Sequence, residues 1–247
     1  MTRSVWLSDT SVQHKWDKKK GDPPPPQDGR VTLEIRTSDG PDPEGGRTIR
    51  TVAFPERLLP PGGGHDEYRA ARKQGVRAFT LWADPHRTHV FAQVVTKSAA
   101  KGGPATYEVL GAAGEPLALI TREPAMKGGR IRTRWTVQRA GAPSVAGLKG
   151  RAFWWGVWWL ISPIQLAIMV GSLIAASGDI ARMPRRTKWR AGDQVVLDWH
   201  SGVADNFELD VETDGWDERV TASLLALLDS HDSWLGDAWD AVDRSRA

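Results

Sequence analysis

The sequence predicts a mainly β protein, a closed antiparallel barrel around a C-terminal hydrophobic helix, with an inserted apolar helical segment that contacts a membrane. Three observations predict this fold class. Runs of alternating apolar and polar residues recur along the chain, a helix that is apolar on nearly every side follows the last of them, and a tryptophan-rich apolar run interrupts the series. A helix without a polar face needs burial on all sides, and in a β protein the interior of a closed barrel supplies it.

The first part of the chain, residues 1–30, is predicted to be disordered. It contains the basic cluster HKWDKKKGD and the polyproline stretch DPPPPQDG, which cannot join a helix or a central strand. A stiff linker is the predicted role, with a proline-rich recognition site as the alternative. The opening MTRSVWLSD lacks the apolar run of a secretory signal peptide, so Sec export is not expected.

Residues 31–150 are predicted to form the first part of the barrel. In VTLEIRT, apolar residues alternate with polar ones, which is the period of a half-buried strand, and RTIRTVAF, VRAFTLWAD and HVFAQVVTK follow the same pattern. YEVLGAAGEPLALITRE predicts two strands around a Gly-Ala-Ala-Gly turn. In RIRTRWTVQR, arginines occupy one face, and the other face carries Ile131, Thr133, Trp135 and Val137.

Residues 181–234 are predicted to hold the last strands and the central helix, and residues 235–247 an acidic tail. KWRAGDQVVLDWHS predicts a hairpin and NFELDVETD one more strand, which brings the total to about ten strands. DERVTASLLALLDSHDSW begins with acidic residues, which suits a helix N-terminus. The predicted core residues of this helix are Val220, Leu224, Leu227 and Leu228.

This C-terminal pattern resembles the phospholipid scramblase family and, more broadly, the tubby C-terminal-like and LURP-one-related superfamily. The resemblance is carried by Ala204-Asp205-Asn206-Phe207, by Leu209-Asp210-Val211 and by the helix that follows, and it extends over Arg77 to Trp234. It implies a twelve-stranded barrel around a central C-terminal helix, and lipid scrambling as an activity. The chain departs from the family in having no cysteine, hence no acylation site of that kind, and in carrying the tryptophan-rich insertion.

The tryptophan-rich segment, residues 151–180, is predicted to contact a membrane. Trp154, Trp155, Trp158 and Trp159 share one helical face, and tryptophan prefers the headgroup level of a bilayer. Ser162-Pro163 interrupts the apolar run, which favours a re-entrant or interfacial hairpin, with a single span as the alternative. The residues predicted to insert are Phe153, Trp154, Trp155, Trp158, Trp159, Leu160, Ile161, Ile164, Leu166, Ile168, Met169, Val170, Leu173 and Ile174.

Charge is distributed unevenly around this segment. Residues 121–192 hold thirteen Lys or Arg against two acids, and residues 193–247 hold fourteen acids against three bases. A basic block beside an apolar run suits anionic lipid, with a solvated basic face as the alternative. The residues predicted to bind headgroups are Lys149, Arg151, Arg182, Arg185, Arg186, Lys188 and Arg190.

Three polar patterns do not predict sites. Asp84 with His86 and His89 offers carboxylate and imidazole groups but no fixed third ligand, so a turn is predicted instead of a metal site. The glycine-rich run from Pro60 to His65 is followed by no Lys-Ser/Thr pair to meet phosphates, which predicts a flexible loop. The alternating acids in NFELDVETD lie on one face of a strand and lack the glycine of an EF-hand turn, which predicts a solvated face.

The sequence thus predicts a membrane-associated, non-enzymatic barrel that binds or organises anionic lipid. No catalytic constellation and no cysteine nucleophile are found in it, and no cofactor, metal or nucleic acid is expected. Membrane lipid is the expected partner, and the cell membrane the expected location, with the soluble part in the cytoplasm. Two alternatives remain at this point. One is a soluble ligand-binding or enzymatic barrel with residues 152–176 as a core helix, and the other is a single-pass anchor that joins two soluble regions.

Overall fold

Twelve antiparallel strands close into a barrel in the computed structural model of the protein. The structure describes residues 2–9, 33–41, 47–60, 62–125, 131–150, 186–201, 207–231 and 238–241. The strands are β1 (Arg3–Asp9), β2 (Leu33–Pro41), β3 (Arg47–Arg57), β4 (Phe79–Trp82), β5 (Val90–Ala99), β6 (Ala105–Leu110), β7 (Pro116–Glu123), β8 (Arg134–Arg139), β9 (Val145–Lys149), β10 (Thr187–Ala191), β11 (Gln194–Ser201) and β12 (Phe207–Val211). The helices in these ranges are α1 (His65–Lys73) and α2 (Glu218–His231).

Each strand pairs with its neighbour in sequence, and β1 also pairs with β12, which closes the barrel. In this closing pair Val5 lies opposite Leu209, and both side chains are buried. Closure matters because it leaves no strand edge with unpaired backbone groups. The antiparallel barrel of the predicted fold class is therefore confirmed.

The period of two in the strand sequences sets which side chains face inward. In β6, Ala105, Tyr107 and Val109 are buried, and the residues between them are partly exposed. One inward position is a glycine: Gly147 of β9 lies opposite both Trp135 and Trp189. A Cβ atom at Gly147 would come within 2.9 Å of Trp189 Cδ2, so the missing side chain leaves room for the buried indole.

Helix α2 lies inside the barrel and forms its core. It contacts β1, β3, β5, β7 and β12, which lie all around the wall. The four predicted core residues Val220, Leu224, Leu227 and Leu228 are each at most 2% exposed, and Leu225, on the opposite side of the helix, is fully buried. A helix buried on every side explains why its sequence has no polar face.

The N-terminal prediction is wrong for residues 3–9. This stretch forms β1, and the Ser4 hydroxyl donates a hydrogen bond to Asp210 Oδ1 at 2.6 Å. Strand β1 pairs with β2 and β12, and both are distant from it in sequence. No local turn signal therefore marks the pairing. The rest of the segment predicted to be disordered, residues 10–30, lies outside the described residues.

The C-terminal prediction of an acidic tail is wrong for residues 238–241. Ala238, Trp239 and Asp240 are buried. The Trp239 ring packs edge-on against Phe79 at 5.3 Å between centroids, and its Nε1–H donates to the carbonyl oxygen of Ala226 at 2.9 Å. This short stretch closes the end of the barrel where α2 ends.

One smaller prediction holds only in part, because a helix begins at its last residue, His65, and a second is wrong. The loop predicted for residues 60–65 leads directly into α1, where the Gly64 N–H donates to Glu67 Oε2 at 2.7 Å and caps the helix. Ile131, predicted to share the buried face of Trp135, is 63% exposed, because β8 begins only at Arg134.

The two ends of the barrel differ in their connections. At one end, here called the hairpin end, lie short turns such as residues 111–115 and 140–144, and the start of α2. At the other, here called the insertion end, lie α1, residues 150–186 between β9 and β10, and the end of α2 at His231.

The segment predicted to contact a membrane, residues 151–180, lies outside the described residues. Among the residues that the structure does describe, no helix has both the length and the apolar character needed to cross a bilayer. The ends of the segment are fixed, however, because Lys149 pairs with Thr187 and the Gly150 N–H donates to the carbonyl oxygen of Arg186 at 2.8 Å. The chain therefore leaves β9 and returns to β10 at the same point.

This pairing contradicts the single-pass alternative. A segment that crossed a bilayer once would place its two flanks on opposite sides of about 30 Å of hydrocarbon. Here the flanks are neighbours in one sheet, and the strands before and after residues 151–185 belong to the same closed barrel. The strands before residue 151 and those after residue 185 therefore form one folding unit and not two.

Candidate functional site

A basic groove runs along the outside of the barrel on β9 and β10, next to the residues that lead into β8. It has a volume of about 450 Å³. Trp189 faces inward, so its neighbours Lys188 and Arg190 face outward, and the same alternation turns Leu148 outward from β9. The residues that line the basic groove are Arg132, Ala146, Leu148, Gly150, Arg186, Lys188 and Arg190.

One buried carboxylate positions two of the four cations of the basic groove. Asp198 on β11 accepts a hydrogen bond from Arg186 Nε at 2.9 Å, and its Oδ2 lies 3.0 Å from Lys188 Nζ. Desolvation raises the pKa of Asp198, but the hydrogen bonds from Arg186 and Lys188 outweigh it and lower the pKa below its ordinary value. Asp198 is therefore ionised at neutral pH, and it is shared between two cations that remain 42% and 33% exposed.

The other two cations of the basic groove contact backbone carbonyl groups. Arg132 Nη1 donates to the carbonyl oxygen of Gly150 at 2.8 Å, and Arg190 Nη1 donates to that of Asp193 at 2.7 Å. A carbonyl oxygen orients a guanidinium group without neutralising it. Between these cations, Leu148 is 41% exposed and gives the groove an apolar floor. Such a surface fits a ligand that has both negative charge and apolar parts.

The structure brings together three of the predicted headgroup-binding residues: Arg186, Lys188 and Arg190. Lys149 lies elsewhere, because it occupies an inward position of β9. Arg151, Arg182 and Arg185 lie outside the described residues, as do all the residues predicted to insert into the membrane. Arg132 was not predicted, although the alternation of arginines with inward residues in RIRTRWTVQR contained the signal for it.

The acids of β12 lie on the same outer face as the basic groove, where Asp210 is opposite Asp198 and its charge helps to raise the pKa of Arg186. Asp210 accepts from Ser4 and lies 2.7 Å, through Oδ2, from His200 Nε2. In the turn after β4, the Asp84 carboxylate accepts hydrogen bonds from the backbone N–H groups of His86, Thr88 and His89. No group of three metal-ligating side chains occurs in the described part of the chain.

A buried ionic network seals the insertion end next to α1. Asp240 Oδ2 accepts hydrogen bonds from Tyr68 Oη at 3.0 Å, Arg72 Nε at 2.9 Å and Ser230 Oγ at 2.9 Å. Arg77 Nε lies 3.5 Å from the same oxygen. Burial raises the pKa of Tyr68 and lowers that of Arg77, and Asp240 adds to the first shift and opposes the second. We assign this network a structural role, because each of its side chains contacts the buried Asp240 carboxylate.

His231, at the end of α2, is held as a neutral ring. Burial, and then the charge of Arg77, lower its pKa well below the ordinary value. Arg77 Nη2 lies 3.4 Å from His231 Nδ1, and arginine can only donate, so Nδ1 accepts. The proton is then on Nε2, which lies 2.8 Å from Tyr107 Oη, and the Tyr107 hydroxyl donates to the carbonyl oxygen of Gly75 at 2.8 Å. Both ring nitrogens are thus engaged in fixed hydrogen bonds, which does not suit a proton-transfer role.

Fold and groove together define a class of protein: a closed twelve-stranded barrel, filled by its own C-terminal helix, with a basic groove beside a long insertion. Comparisons of the chain with protein-family models, with curated proteins and with solved structures gave no match.

Proposed function

We propose that this protein is a non-enzymatic, membrane-associated barrel that binds anionic lipid through its basic groove, with the insertion end facing the bilayer. The observation that carries the proposal is one of position. The basic groove lies on the outer faces of β9 and β10, the two strands that directly flank the tryptophan-rich segment. The basic groove would therefore bind lipid headgroups next to the point where the tryptophan-rich segment enters the bilayer.

The topology supports a hairpin that enters and leaves by the same face. Residues 151–185 begin and end at paired strands, so an insertion broken near Ser162-Pro163 leaves the barrel intact on one side of the membrane. Tryptophan prefers the headgroup region, which suits the four tryptophans at the start of the segment.

The charges support anionic lipid over zwitterionic lipid. A basic residue near an anionic surface contributes roughly 1 kcal/mol, and this contribution falls off within a Debye length. The basic groove presents four cations, and the shared Asp198 offsets one charge. Binding should therefore weaken markedly when salt is raised.

The predicted membership of the tubby-like and scramblase-like superfamily is part of this proposal. A twelve-stranded barrel around a C-terminal helix is the architecture that the resemblance implies. Lipid scrambling and a cytoplasmic position of the barrel are further expectations that only the resemblance and the sequence support.

The filled interior disfavours the alternative of a soluble barrel with an internal ligand site. Helix α2 occupies the space that a ligand would use, and the cavity at its C-terminal end is about 20 Å³. Small-molecule pockets usually measure roughly 300–1,000 Å³.

Flotation of the full-length protein with vesicles tests the proposal. We expect it to float with vesicles that contain phosphatidylglycerol, to float less with pure phosphatidylcholine, and to be released by high salt. The triple variant Arg132→Gln, Lys188→Gln, Arg190→Gln should float less with the anionic vesicles. A matched control removes three cations on other faces of the barrel, Arg36→Gln, Arg87→Gln and Lys97→Gln, and should float like the natural protein.

A second variant separates charge from apolar anchoring. Because Gly150 and Arg186 are hydrogen-bonded neighbours, a short Gly-Ser turn can replace residues 151–185 and leave a β-hairpin. We expect this variant to keep a cooperative unfolding transition and to lose most of its flotation. A full-length protein that stays with the soluble fraction in both kinds of vesicle contradicts the proposal.

A further inference from the structure

Strand β3 extends past the end of its neighbour β4 at the hairpin end of the barrel. On the side of β2 its pairing reaches Arg47, but on the side of β4 it stops at Phe54. Among the residues that the structure describes, no strand pairs with residues 47–53 from the side of β4. This stretch is here called the β3 overhang. Because alternate residues of an antiparallel strand direct their backbone groups to opposite neighbours, the β3 overhang presents backbone donors and acceptors on that side.

The β3 overhang is accessible and has the composition of a strand. Its residues from Thr48 to Thr51 are all exposed, and Ile49 is 56% exposed. Threonine, isoleucine and valine favour extended backbone, and the stretch contains no proline and no lysine to discourage pairing. A β-bulge at Val52 lies between these exposed residues and the part of β3 that pairs with β4. The edge is therefore able to accept another strand.

The sequence of the β3 overhang is complementary to itself. Residues 47–51 read Arg-Thr-Ile-Arg-Thr. In an antiparallel pair of two copies centred on Ile49, the two isoleucines lie opposite each other, and each arginine position lies opposite a threonine position. Like charges directly opposite each other destabilise a strand pair, and this register avoids them. A two-fold axis at Ile49 gives both copies the same contacts, as in most homodimers.

The charges of the β2–β3 hairpin do not favour an acidic partner strand. Arg50 already forms an ion pair with Glu218 at the start of α2. Residues 39–51, which include the turn, hold three acids against two bases. An acidic strand would therefore meet a hairpin that is itself slightly negative. A second copy needs only the register that its own sequence provides.

We propose that the β3 overhang is a self-association surface, at which two copies of the chain pair antiparallel with Ile49 opposite Ile49 and join their sheets. This is the addition of a strand to an exposed sheet edge. One short strand from each copy makes a smaller contact than a standard interface, which buries about 1,200–2,000 Å². The dimer should therefore dissociate on dilution. The contact does not depend on the proposed function, because it lies at the hairpin end and not at the insertion end.

Sedimentation velocity of the full-length protein without vesicles, over a range of concentrations, tests the proposal. We expect a monomer at low concentration and a dimer at high concentration. Ile49→Lys places two like charges opposite each other and removes the apolar contact, so it should weaken the dimer at least tenfold. The control Leu119→Lys makes the same change at an exposed leucine of β7 and should dimerise like the natural protein. Circular dichroism checks that both variants keep a cooperative unfolding transition.

Two results of this experiment overturn the proposal. One is a natural protein that stays monomeric at every concentration. The other is a dimer that is as stable in Ile49→Lys as in the natural protein, because the copies would then associate through another surface.

Disulfide formation between copies tests the register, since the chain has no cysteine of its own. In Ile49→Cys the two cysteines lie opposite each other, where Cβ atoms are about 4.5–5.5 Å apart, and a disulfide-linked dimer should form on mild oxidation. In Thr51→Cys the two cysteines are four residues out of register, or about 13 Å apart, so this variant should cross-link much more slowly. A mixture of Thr51→Cys and Arg47→Cys should cross-link, because these positions are opposite. Equal rates for Ile49→Cys and Thr51→Cys would overturn the proposed pairing.

Discussion

Replacing Asp240 by alanine is expected to destabilise the barrel by about 3–5 kcal/mol, although the residue lies in a segment whose sequence predicts an acidic tail. The carboxylate is fully buried and compensates the partly buried Arg72 and the buried Arg77. Its Oδ2 also accepts from the hydroxyl groups of Tyr68 and Ser230. Removal would leave two cations facing each other without a counter-charge, together with unsatisfied donors. That arrangement is more costly than the loss of a surface ion pair, which is worth about 0–1 kcal/mol.

Asparagine at the same position should cost less than alanine. Its carbonyl oxygen can replace Oδ2 as the acceptor, so the hydroxyl donors stay satisfied while the charge is lost. The other carboxylate oxygen, Asp240 Oδ1, is buried with no hydrogen-bond partner in the described part of the chain, so an amide nitrogen there gains nothing. We therefore expect about 1–3 kcal/mol for Asp240→Asn.

Urea unfolding followed by circular dichroism measures both changes, with Glu108→Gln as the control. Glu108 forms an exposed ion pair with Lys97 at 3.2 Å, and its loss should cost no more than about 1 kcal/mol. If Asp240→Ala is no more destabilising than Glu108→Gln, residues 238–241 do not seal the barrel. If Asp240→Asn lowers the free energy of unfolding as much as Asp240→Ala does, the role assigned to Oδ2 as a hydrogen-bond acceptor is contradicted.

Three further predictions concern the barrel itself. Gly147→Ala should destabilise it by about 1–3 kcal/mol, because the added Cβ meets Trp189, whereas Ala146→Ser on the outer face should be nearly neutral in the same unfolding assay. Deleting residues 1–9 should abolish the cooperative transition, because β1 closes the barrel between β2 and β12; a transition that survives the deletion would contradict the closure. The pKa of Asp198 is lowered in the folded state, so its stabilising contribution is complete above its ordinary pKa of 3.8 and is lost as the pH falls below that value. The fall in stability measured between neutral and acidic pH should therefore be smaller in Asp198→Asn, and an unchanged pH dependence would contradict the role of the pair with Arg186.

Much of the fold could be predicted because its signals are local. Alternation predicted β2 to β8 and β10 to β12, and the apolar surface of α2 predicted its burial. The elements that escaped prediction lack such signals. Helix α1 buries only Tyr68, so its sequence shows no apolar stripe. Asp240 lies in an acidic stretch, and the arginine that pairs with it, Arg72, is 168 residues away in sequence.

The candidate sites depend on strand register, which the sequence does not fix. The charge count drew attention to Lys149, Arg186 and Lys188 as one basic group. The register then separates them, with Lys149 facing into the barrel and the other two facing out. The Nε1 of Trp199 is buried with no hydrogen-bond partner among the described residues, and the sequence could not predict this, because the neighbours of a buried donor come from several strands.

The orientation of the barrel on the membrane is the central claim, and a single environment-sensitive label tests it. The chain has no cysteine, so a cysteine introduced at an exposed alanine is the only labelling site. Ala100 lies in the turn between β5 and β6 at the insertion end, and Ala112 in the turn between β6 and β7 at the hairpin end. On binding to phosphatidylglycerol vesicles, a fluorophore on Ala100→Cys should shift to the blue, and one on Ala112→Cys should not change. A shift at Ala112→Cys alone, or no shift at either position when the protein floats, would contradict the account.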